Sequence, residues 1–391
     1  MRNGQFHRPS PNLILLKLNP MFFNEIPENH PTPSLVVDGN ILQGNLDRMQ
    51  KYCTEHKLKL RPHTKTHKSV EIASRQIASG ASGLTVAKVG EAECMFAASP
   101  DIFLAYPAIG QNRLERLGDL AARCADRGGG VCVGVDSQQA AEFLSAAASN
   151  RGLQIGILVD LDVGFHRTGV ESSQDAVALC QWIDQCPNLN FQGVMCFPGQ
   201  ILPNAPDDAW AHYTQRLAVV VDELRRSGIV VPRISGGSTP SACESHRNPY
   251  LNEIRPGTYI YNDLNEVRLG VATIDNCAAR IIATVVSTPT KSKFILDSGS
   301  KTLSSDRNCV DPESGFGMVV EYPAGKISRL SEEHGEVTFP ENYTGPRPNI
   351  GDRVWIIPNH ICVCVNLQNN FYLAENNKLS EYRVDARGLL T

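Results

Sequence analysis

Short apolar runs alternate with helix-like stretches from about residue 35 to about residue 275, and this alternation constrains the fold more than any other feature. The strand-like runs are residues 34–37, 58–61, 83–86, 102–106, 131–135, 155–161, 191–196 and 233–235. Helix-like periodicity covers residues 43–56, 69–78, 88–98, 111–125, 138–148, 173–186 and 209–227. About eight βα units predict an α/β protein with a (β/α)8 TIM-type barrel. A doubly wound open sheet would show the same periodicity and is the alternative.

The pattern changes after residue 275. Strand-like runs follow one another at residues 280–287, 293–297, 317–322, 335–339, 353–357 and 371–374, with proline and glycine between them. Such a succession predicts a mostly-β domain. The expected organisation is therefore an N-terminal segment (1–34) that packs on the β domain, a barrel (35–275) and the β domain itself (276–391).

Composition excludes several classes of protein. The chain has 391 residues, 42% of them hydrophobic and 20% charged, as is usual for a soluble globular protein. A net charge of -4 gives no reason to expect nucleic-acid binding. The apolar run at residues 13–16 is broken by Lys17, so it is too short for a signal peptide core or a membrane span. Twelve cysteines without a disulfide-type spacing predict reduced thiols and a cytoplasmic location.

Lys65 stands in an unusually cationic stretch. Residues 60–68 read Leu-Arg-Pro-His-Thr-Lys-Thr-His-Lys and follow a strand-like run. Neighbouring positive charges favour the neutral form of a lysine, which is the form that a Schiff-base lysine needs. The same charges would suit an anionic cofactor phosphate. A solvated basic loop is the simpler interpretation of a charge run taken alone.

Two further segments follow predicted strands, and a third lies about twenty residues after the second. Residues 162–169 place His166 and Arg167 between glycines in a tight turn. Residues 234–240 (Ile-Ser-Gly-Gly-Ser-Thr-Pro) and 253–259 (Glu-Ile-Arg-Pro-Gly-Thr-Tyr) have small and hydroxyl residues that suit phosphate binding by backbone N–H groups. Each could also be a structural turn.

In the β domain, His360 and Cys362 are two residues apart, and on an extended segment they would face the same side. Imidazole and thiolate together favour zinc, although a buried cysteine beside a structural histidine is the alternative.

Together these motifs resemble the fold-type III pyridoxal phosphate enzymes, and more narrowly the D-threonine aldolase and D-serine dehydratase family, which has an alanine racemase-like N-terminal barrel. The resemblance covers the chain from Pro31 onward and rests on residues 61–68, 164–169, 236–240, 255–259, 332–335 and 358–362. It implies a barrel with a β domain, a Schiff-base lysine, a divalent metal and a head-to-tail homodimer. It also implies that Glu333, His334, His360 and Cys362 of the partner's β domain complete the site around Lys65.

By resemblance, Lys65 would hold pyridoxal 5'-phosphate, and Arg167 would act beside the cofactor ring oxygen. The other residues implied in cofactor binding are Gly236, Gly237, Ser238, Thr239, Gly257, Thr258 and Tyr259. His360 and Cys362 would bind the metal, which ligand softness predicts to be zinc, with manganese or magnesium as alternatives.

The resemblance implies a lyase that acts on a small D-β-hydroxy amino acid. Residues 286–289, 365–367 and 386–388 are similar to the aldolases, so the leading hypothesis is a D-threonine aldolase that gives glycine and acetaldehyde. His-x-Cys and Gly-Ser-Thr-Pro are similar to the dehydratases, so the alternative is a D-serine or D-threo-3-hydroxyaspartate dehydratase that gives a 2-oxo acid and ammonia. Pro198 stands where aldolases have a histidine proposed to act as base. A racemase and a non-catalytic cofactor carrier are further hypotheses; the metal pair argues against both.

Overall fold

The structure is a computed structural model that describes residues 26–391. The first part of the described chain contains β1 (Ser34–Asp38), α1 (Gly39–Glu55), β2 (Lys59–Leu60), α2 (Val70–Ala78), β3 (Leu84–Val86), α3 (Val89–Met95), β4 (Asp101–Leu104), α4 (Gln111–Asp126), β5 (Gly130–Val135), α5 (Gln138–Ser149), β6 (Ile155–Leu161), α6 (Ser173–Asp184), β7 (Leu189–Cys196), α7 (Asp207–Arg226), β8 (Arg233–Gly236), β9 (Glu253–Ile254) and α8 (Leu264–Arg268).

The remainder contains β10 (Ala279–Thr290), β11 (Lys293–Leu296), α9 (Ser300–Leu303), β12 (Gly317–Val319), β13 (Lys326–Leu330), β14 (Gly335–Thr338), β15 (Arg353–Pro358), α10 (Ile361–Leu367), β16 (Asn370–Glu375) and β17 (Lys378–Arg383). No helix between residues 26 and 391 has the length and apolar character needed to cross a bilayer.

Eight parallel strands form the predicted TIM-type barrel. Their order is β2-β9-β8-β7-β6-β5-β4-β3. A parallel bridge between His63 and Thr85, and a 2.9 Å hydrogen bond from the Thr85 N–H to the Pro62 carbonyl, join the two ends of this sheet. All seven residues of β6 are buried, as expected for a strand that has side chains of the barrel interior on one face and helices on the other.

The second sheet has nine strands in the order β11-β14-β13-β12-β15-β10-β1-β16-β17, and β10 also pairs with β11. This sheet corresponds to the predicted β domain. Residues near the beginning of the described chain contact it: Ile26 packs in the cluster of Val36 and Trp355, and the Arg353 guanidinium donates to the Pro27 carbonyl at 2.7 Å. The apolar run at residues 13–16 lies outside the described residues.

One predicted strand belongs to the other sheet. The run at 34–37 was expected to begin the barrel, but β1 pairs with β10 (antiparallel) and with β16 (parallel) in the nine-stranded sheet. Its place in the barrel is taken by β9, a two-residue strand between β2 and β8. A fully buried strand has the same apolar pattern in either sheet, so only its hydrogen-bonding partners decide to which sheet it belongs.

Candidate active site

Lys65 lies on a 3-10 turn, Thr64–Thr66, that directly follows β2. Its side chain is exposed and borders a cavity of about 170 Å³ at the carboxyl ends of the barrel strands. The other lining residues are His63, Ala105, Arg167, Met195, Phe197, Gly237, Ser238, Thr239, Pro240, Arg255, Gly257 and Thr258. The cavity therefore brings together seven of the residues that the sequence singled out, from four separate segments of the chain.

Most of the cations beside Lys65 in the sequence face the protein interior. Arg61 is buried and pairs with Glu253 at 2.9 Å and Asp101 at 2.8 Å. His67 is buried, and burial lowers its pKa to about 4. The Lys68 ammonium donates to the Ala386 carbonyl at 3.3 Å. These groups are structural, so the positive charge of the cavity comes from other parts of the chain.

His63, unlike Arg61, His67 and Lys68, borders the cavity. Its Nδ1 accepts the Lys65 backbone N–H at 3.4 Å. Burial, followed by the positive charges of Lys65 and Arg255, holds its pKa well below the ordinary value. His63 is therefore a neutral imidazole whose free nitrogen, Nε2, carries the proton.

Arg167 and Arg255 supply the positive charge of the cavity. The Arg255 guanidinium is buried and donates to the Ser235 hydroxyl at 2.6 Å and the Cys196 carbonyl at 2.9 Å, both of them neutral acceptors. Arg167 stacks over Phe197, with 4.4 Å between the guanidinium carbon and the ring centroid. Neither guanidinium forms an ion pair with a carboxylate of residues 26–391, so both can interact with an anion in the cavity.

The two glycine-containing turns are neighbours that both line the cavity, since they follow the adjacent strands β8 and β9. Neither Gly237 nor Gly257 uses its N–H in a hydrogen bond within residues 26–391. Gly237 has φ +77°, and a Cβ there would lie 3.2 Å from Ile254; a Cβ on Gly257 would lie 2.9 Å from the Thr66 hydroxyl. Because both residues are glycines, no side chain covers these two N–H groups. A ligand in the cavity can therefore accept hydrogen bonds from them.

Two predicted cofactor residues lie behind this lining. The Gly236 carbonyl accepts the Arg255 N–H at 3.1 Å. The Tyr259 N–H donates to the Thr239 hydroxyl at 3.2 Å, and the Tyr259 hydroxyl accepts from Gln76 at 3.2 Å. Gly236 and Tyr259 thus support the two turns, while a direct cofactor contact from either stays a prediction.

His360 and Cys362 are close to each other, but not because they share an extended segment. That expectation is wrong: His360 is the N-cap of α10, and Cys362 lies in its first turn. Burial opposes ionisation of the Cys362 thiol, yet the neighbouring imidazole holds its pKa below the ordinary value. Burial alone would lower the pKa of His360. Asp263 and Cys362 together outweigh burial and raise that pKa to about 11. Each group thus favours the charged form of the other, the imidazolium of His360 and the thiolate of Cys362.

Asp263 orients the imidazole of His360. Its fully buried carboxylate lies 3.3 Å from His360 Nδ1 and accepts the Ile361 N–H at 3.0 Å. A carboxylate on Nδ1 leaves Nε2 as the nitrogen that can bind a metal, which is a common arrangement for histidine ligands. Asp263 follows the 253–259 motif by only a few residues, but the sequence gives no sign that it would meet His360.

The metal pair lies beside Lys65 of the same chain. Cys362 Sγ is 3.2 Å from the hydroxyl of Thr66 and 3.7 Å from that of Thr258. The expectation that His360 and Cys362 must come from a partner chain is therefore wrong, because α10 packs against the Lys65 turn. Glu332 and Glu333 are exposed and pair with Lys301 at 2.7 and 3.0 Å.

Sequence analysis missed four residues of the site, namely His63, Phe197, Arg255 and Asp263. His63 and Arg255 stood inside quoted motifs, and Phe197 directly follows the predicted strand 191–196, so these positions were the signals that could have found them. Asp263 shows only as an acidic residue before α8, where its Oδ1 accepts the Glu266 N–H at 3.1 Å as an N-cap. Such capping is common and does not predict a functional site.

Comparisons with known proteins agree with this architecture. Residues 37–265 match the alanine racemase N-terminal domain family, and residues 278–374 match the putative serine dehydratase domain. D-threonine aldolase of Arthrobacter sp. is 31% identical over 367 residues, covering 91% of this chain and 93% of the relative. D-threo-3-hydroxyaspartate dehydratase of Delftia sp. is 29% identical over 350 residues, covering 85% of this chain and 90% of the relative.

Solved structures give the same result. D-threonine aldolase from Filomicrobium marinum superposes with a TM-score of 0.83 at 28% identity, covering 93% of this chain and 98% of that protein. A cysteine-to-alanine mutant of D-threo-3-hydroxyaspartate dehydratase in the metal-free form superposes with a TM-score of 0.81 at 28% identity, covering 91% and 98%. The chain therefore belongs to the fold-type III pyridoxal phosphate lyases that combine an alanine racemase-type barrel with a serine dehydratase-type β domain.

Proposed function

We propose that the protein is a pyridoxal phosphate- and metal-dependent lyase acting on D-β-hydroxy amino acids, and specifically a D-threonine aldolase that forms glycine and acetaldehyde. One observation carries the proposal: Thr66 and Thr258, which flank Lys65 and the Gly257 turn, both contact Cys362. A lysine and phosphate-suited turns thus line one cavity, and a metal-suited pair lies directly beside it.

The chemistry of the cavity fits pyridoxal phosphate. The free N–H groups of Gly237 and Gly257, with the hydroxyls of Ser238 and Thr258, suit the phosphate. Arg255 is a buried cation that forms no ion pair with a carboxylate of residues 26–391, and such a charge is costly unless a ligand compensates it. Lys65 would hold the cofactor covalently, and Arg167 would face its ring oxygen. Bound pyridoxal phosphate supplies an electron sink for charge that develops at the substrate Cα.

The donor atoms of His360 and Cys362 fit a borderline-soft divalent cation. Nε2 of His360 and the Cys362 thiolate would hold it, with Asp263 fixing the imidazole. Sulfur ligation favours zinc over manganese or magnesium. A cation at this position would supply Lewis acidity to the β-hydroxyl of the substrate.

Pro198 supports the dehydratase as second candidate. It offers no proton acceptor where the resemblance to aldolases expects a histidine, and Phe197 beside it stacks on Arg167. A dehydratase needs a base only at Cα, which Lys65 can provide, and hydroxide would leave beside the metal pair. The products would be a 2-oxo acid and ammonia.

We further propose that the enzyme is a cytoplasmic homodimer. Tyr106, Phe165 and Leu202 are exposed by 41%, 40% and 46% on loops at the carboxyl ends of barrel strands. Apolar side chains grouped at one end of a barrel suit a partner chain. The twelve cysteines are free thiols, which suits a reducing compartment.

Product analysis with D-threonine tests the activity. Holoenzyme supplied with zinc or manganese should form glycine and acetaldehyde in equal amounts. Formation of 2-oxobutyrate and ammonia would replace the aldolase by the dehydratase. L-allo-threonine as the only product, formed by inversion at Cα alone, would indicate the racemase instead.

A further inference from the structure

A carboxylate that the proposed chemistry does not use lies at the base of the turn that carries Arg167. Asp162 directly follows β6, and its side chain is only 3% exposed. Its Oδ1 accepts the three backbone N–H groups of residues 164–166 at 2.8 to 3.1 Å. No N–H or O–H group of residues 26–391 is aligned for a hydrogen bond with the other oxygen, Oδ2. Buried carboxylate oxygens normally have a donor, so Oδ2 retains the capacity to bind another group.

Two exposed side chains that can bind metal lie beside this oxygen. Nδ1 of His166 is 2.7 Å from Oδ2 of Asp162 and 4.0 Å from Oε1 of Glu171. One ligand atom from each of the three residues lies within 4.8 Å of the other two. A zinc ion with bonds of about 2.1 Å holds its ligand atoms about 3 to 3.5 Å apart. The distances of 2.7 and 4.0 Å lie on either side of this range, and His166 and Glu171, exposed by 72% and 76%, can rotate into it.

Backbone pairing holds the three residues near one another. Leu161 and Val170 form a parallel bridge at the base of the turn. The Asp162 N–H donates to the Val170 carbonyl at 3.1 Å, and the Val170 N–H donates to the Asp160 carbonyl at 2.9 Å. Glu171 directly follows Val170, so these bonds place it beside Asp162 before any ligand binds. Such preorganisation lowers the cost of ordering the ligands.

The charges around the three residues favour a cation. Arg216 lines the same cavity as His166 and Glu171, whose volume is about 420 Å³. The Arg216 guanidinium donates to the Asp162 carbonyl at 3.0 Å and to the Glu171 carbonyl at 2.6 Å, so it joins the two segments that carry the carboxylates. Its positive charge opposes a bound cation. The two carboxylates together outweigh that single charge, so the group keeps a net attraction for a cation.

We propose that Asp162, His166 and Glu171 form a metal site that binds one divalent cation of the zinc type through one imidazole nitrogen and two carboxylate oxygens. Water would complete the coordination, because three protein ligands leave a position open. The nitrogen ligand favours zinc over magnesium. The set contains no thiolate and two of its members are exposed, so it should bind zinc more weakly than the His360–Cys362 pair. We therefore expect the site to fill when zinc is supplied and to empty during purification.

A cation at this position would act on the neighbouring cavity through the chain. His166 is followed directly by Arg167, which lines the cavity beside Lys65. A cation held by His166 would join the turn to Asp162 at the end of β6 and to Glu171. It would thereby restrain the turn that presents Arg167, although the metal itself lies outside that cavity.

Zinc titration of the full-length Cys362→Ala holoenzyme tests the site in the absence of the thiolate of the other pair. The protein is freed of metal with a chelator that is then removed, and zinc uptake is measured by equilibrium dialysis and isothermal titration calorimetry. About one zinc ion per chain should bind, also in a large excess of magnesium. His166→Gln and Glu171→Gln, each in this background, should weaken the binding at least about a hundredfold, because even outer-shell partners contribute up to about that factor.

His212→Gln in the same background is the matched control. His212 is exposed in the same cavity but does not belong to the three-residue group, so this variant should keep the affinity. Glu171→Gln decides the question if His166→Gln does not fold, since Glu171 is exposed. The proposal would be overturned by no zinc uptake in Cys362→Ala, by uptake that both ligand variants leave unchanged, or by an equal loss in His212→Gln. Zinc uptake does not depend on lyase activity, so failure of the proposed function would show only in the product analysis with D-threonine.

Discussion

The thiol of Cys362, on the β domain, lies 3.2 Å from the hydroxyl of Thr66, the residue next to Lys65 on the barrel. This contact joins the two domains at the cavity within a single chain. Lys65 and the His360–Cys362 pair of one chain can therefore act in the same site, and substitutions at each of them test the proposed lyase.

Lys65→Ala should leave the barrel folded but abolish covalent cofactor attachment. Wild-type holoenzyme should be yellow, and borohydride should fix the cofactor to the peptide that contains Lys65. We expect the variant to lose activity by at least about a hundredfold, because it loses its nucleophile and base. Cofactor still fixed to the chain by borohydride in Lys65→Ala would contradict the assignment.

Cys362→Ala should lose the metal and the lyase activity together while keeping the cofactor. Elemental analysis should find about one divalent ion per wild-type chain, and a chelator should abolish lyase activity without removing the visible cofactor band. Cys243→Ala is the matched control, because this thiol is exposed and its charged neighbours, Arg48 and Glu244, do not belong to the site, so it should not affect metal content. Full activity after exhaustive chelation would instead favour the racemase.

Mixing inactive Lys65→Ala chains with inactive Cys362→Ala chains should restore no activity. Lys65 borders the cavity, and Cys362 of the same chain contacts the adjacent Thr66 and the lining residue Thr258, so each active site in a mixed dimer lacks one of the two groups. Differently tagged chains would show by affinity capture that mixed dimers form. Recovery of substantial activity in captured mixed dimers would show that the site is shared between chains.

Stability should decrease in acid because of His67. Its imidazole accepts the Ser69 N–H at Nδ1 and faces Gln76 at 3.1 Å, and burial lowers its pKa from 6.5 to about 4. Below pH 6.5 the unfolded chain takes up a proton that the folded chain does not, so the free energy of unfolding falls until about pH 4. The contribution between pH 6.5 and pH 5 is about 2 kcal/mol.

Urea unfolding at these two pH values measures the effect. His67→Asn should flatten the pH dependence by about this amount, since asparagine does not titrate. The exposed His212 provides the control, and His212→Asn should keep the wild-type slope. An unchanged slope in His67→Asn would show that other groups cause the acid sensitivity.

The sequence alone determined the fold class and indicated segments that line the cavity. Each regular element leaves an apolar pattern in the sequence because one or both of its faces are buried. The pattern therefore predicts strands and helices without the structure; the apolar run of β6, for example, is fully buried. The segments around Lys65, Arg167 and Gly237 stood at predicted strand ends, where a barrel collects its functional loops, whereas the segment around Gly257 showed only in its small and hydroxyl residues. Strands β13 and β17 went unpredicted because their residues are mostly only partly buried, which weakens the apolar alternation.

Only the tertiary structure decided which of these groups meet. Arg61 and His67 stand in the same basic stretch as Lys65, but both are buried. Arg61 pairs with Glu253, and burial keeps His67 neutral. The two-residue strand β9 brings Arg255 to the cavity, and α10 brings Cys362 to Thr66. Sequence patterns record how each segment is buried, whereas contacts between distant segments depend on the packing of the whole chain.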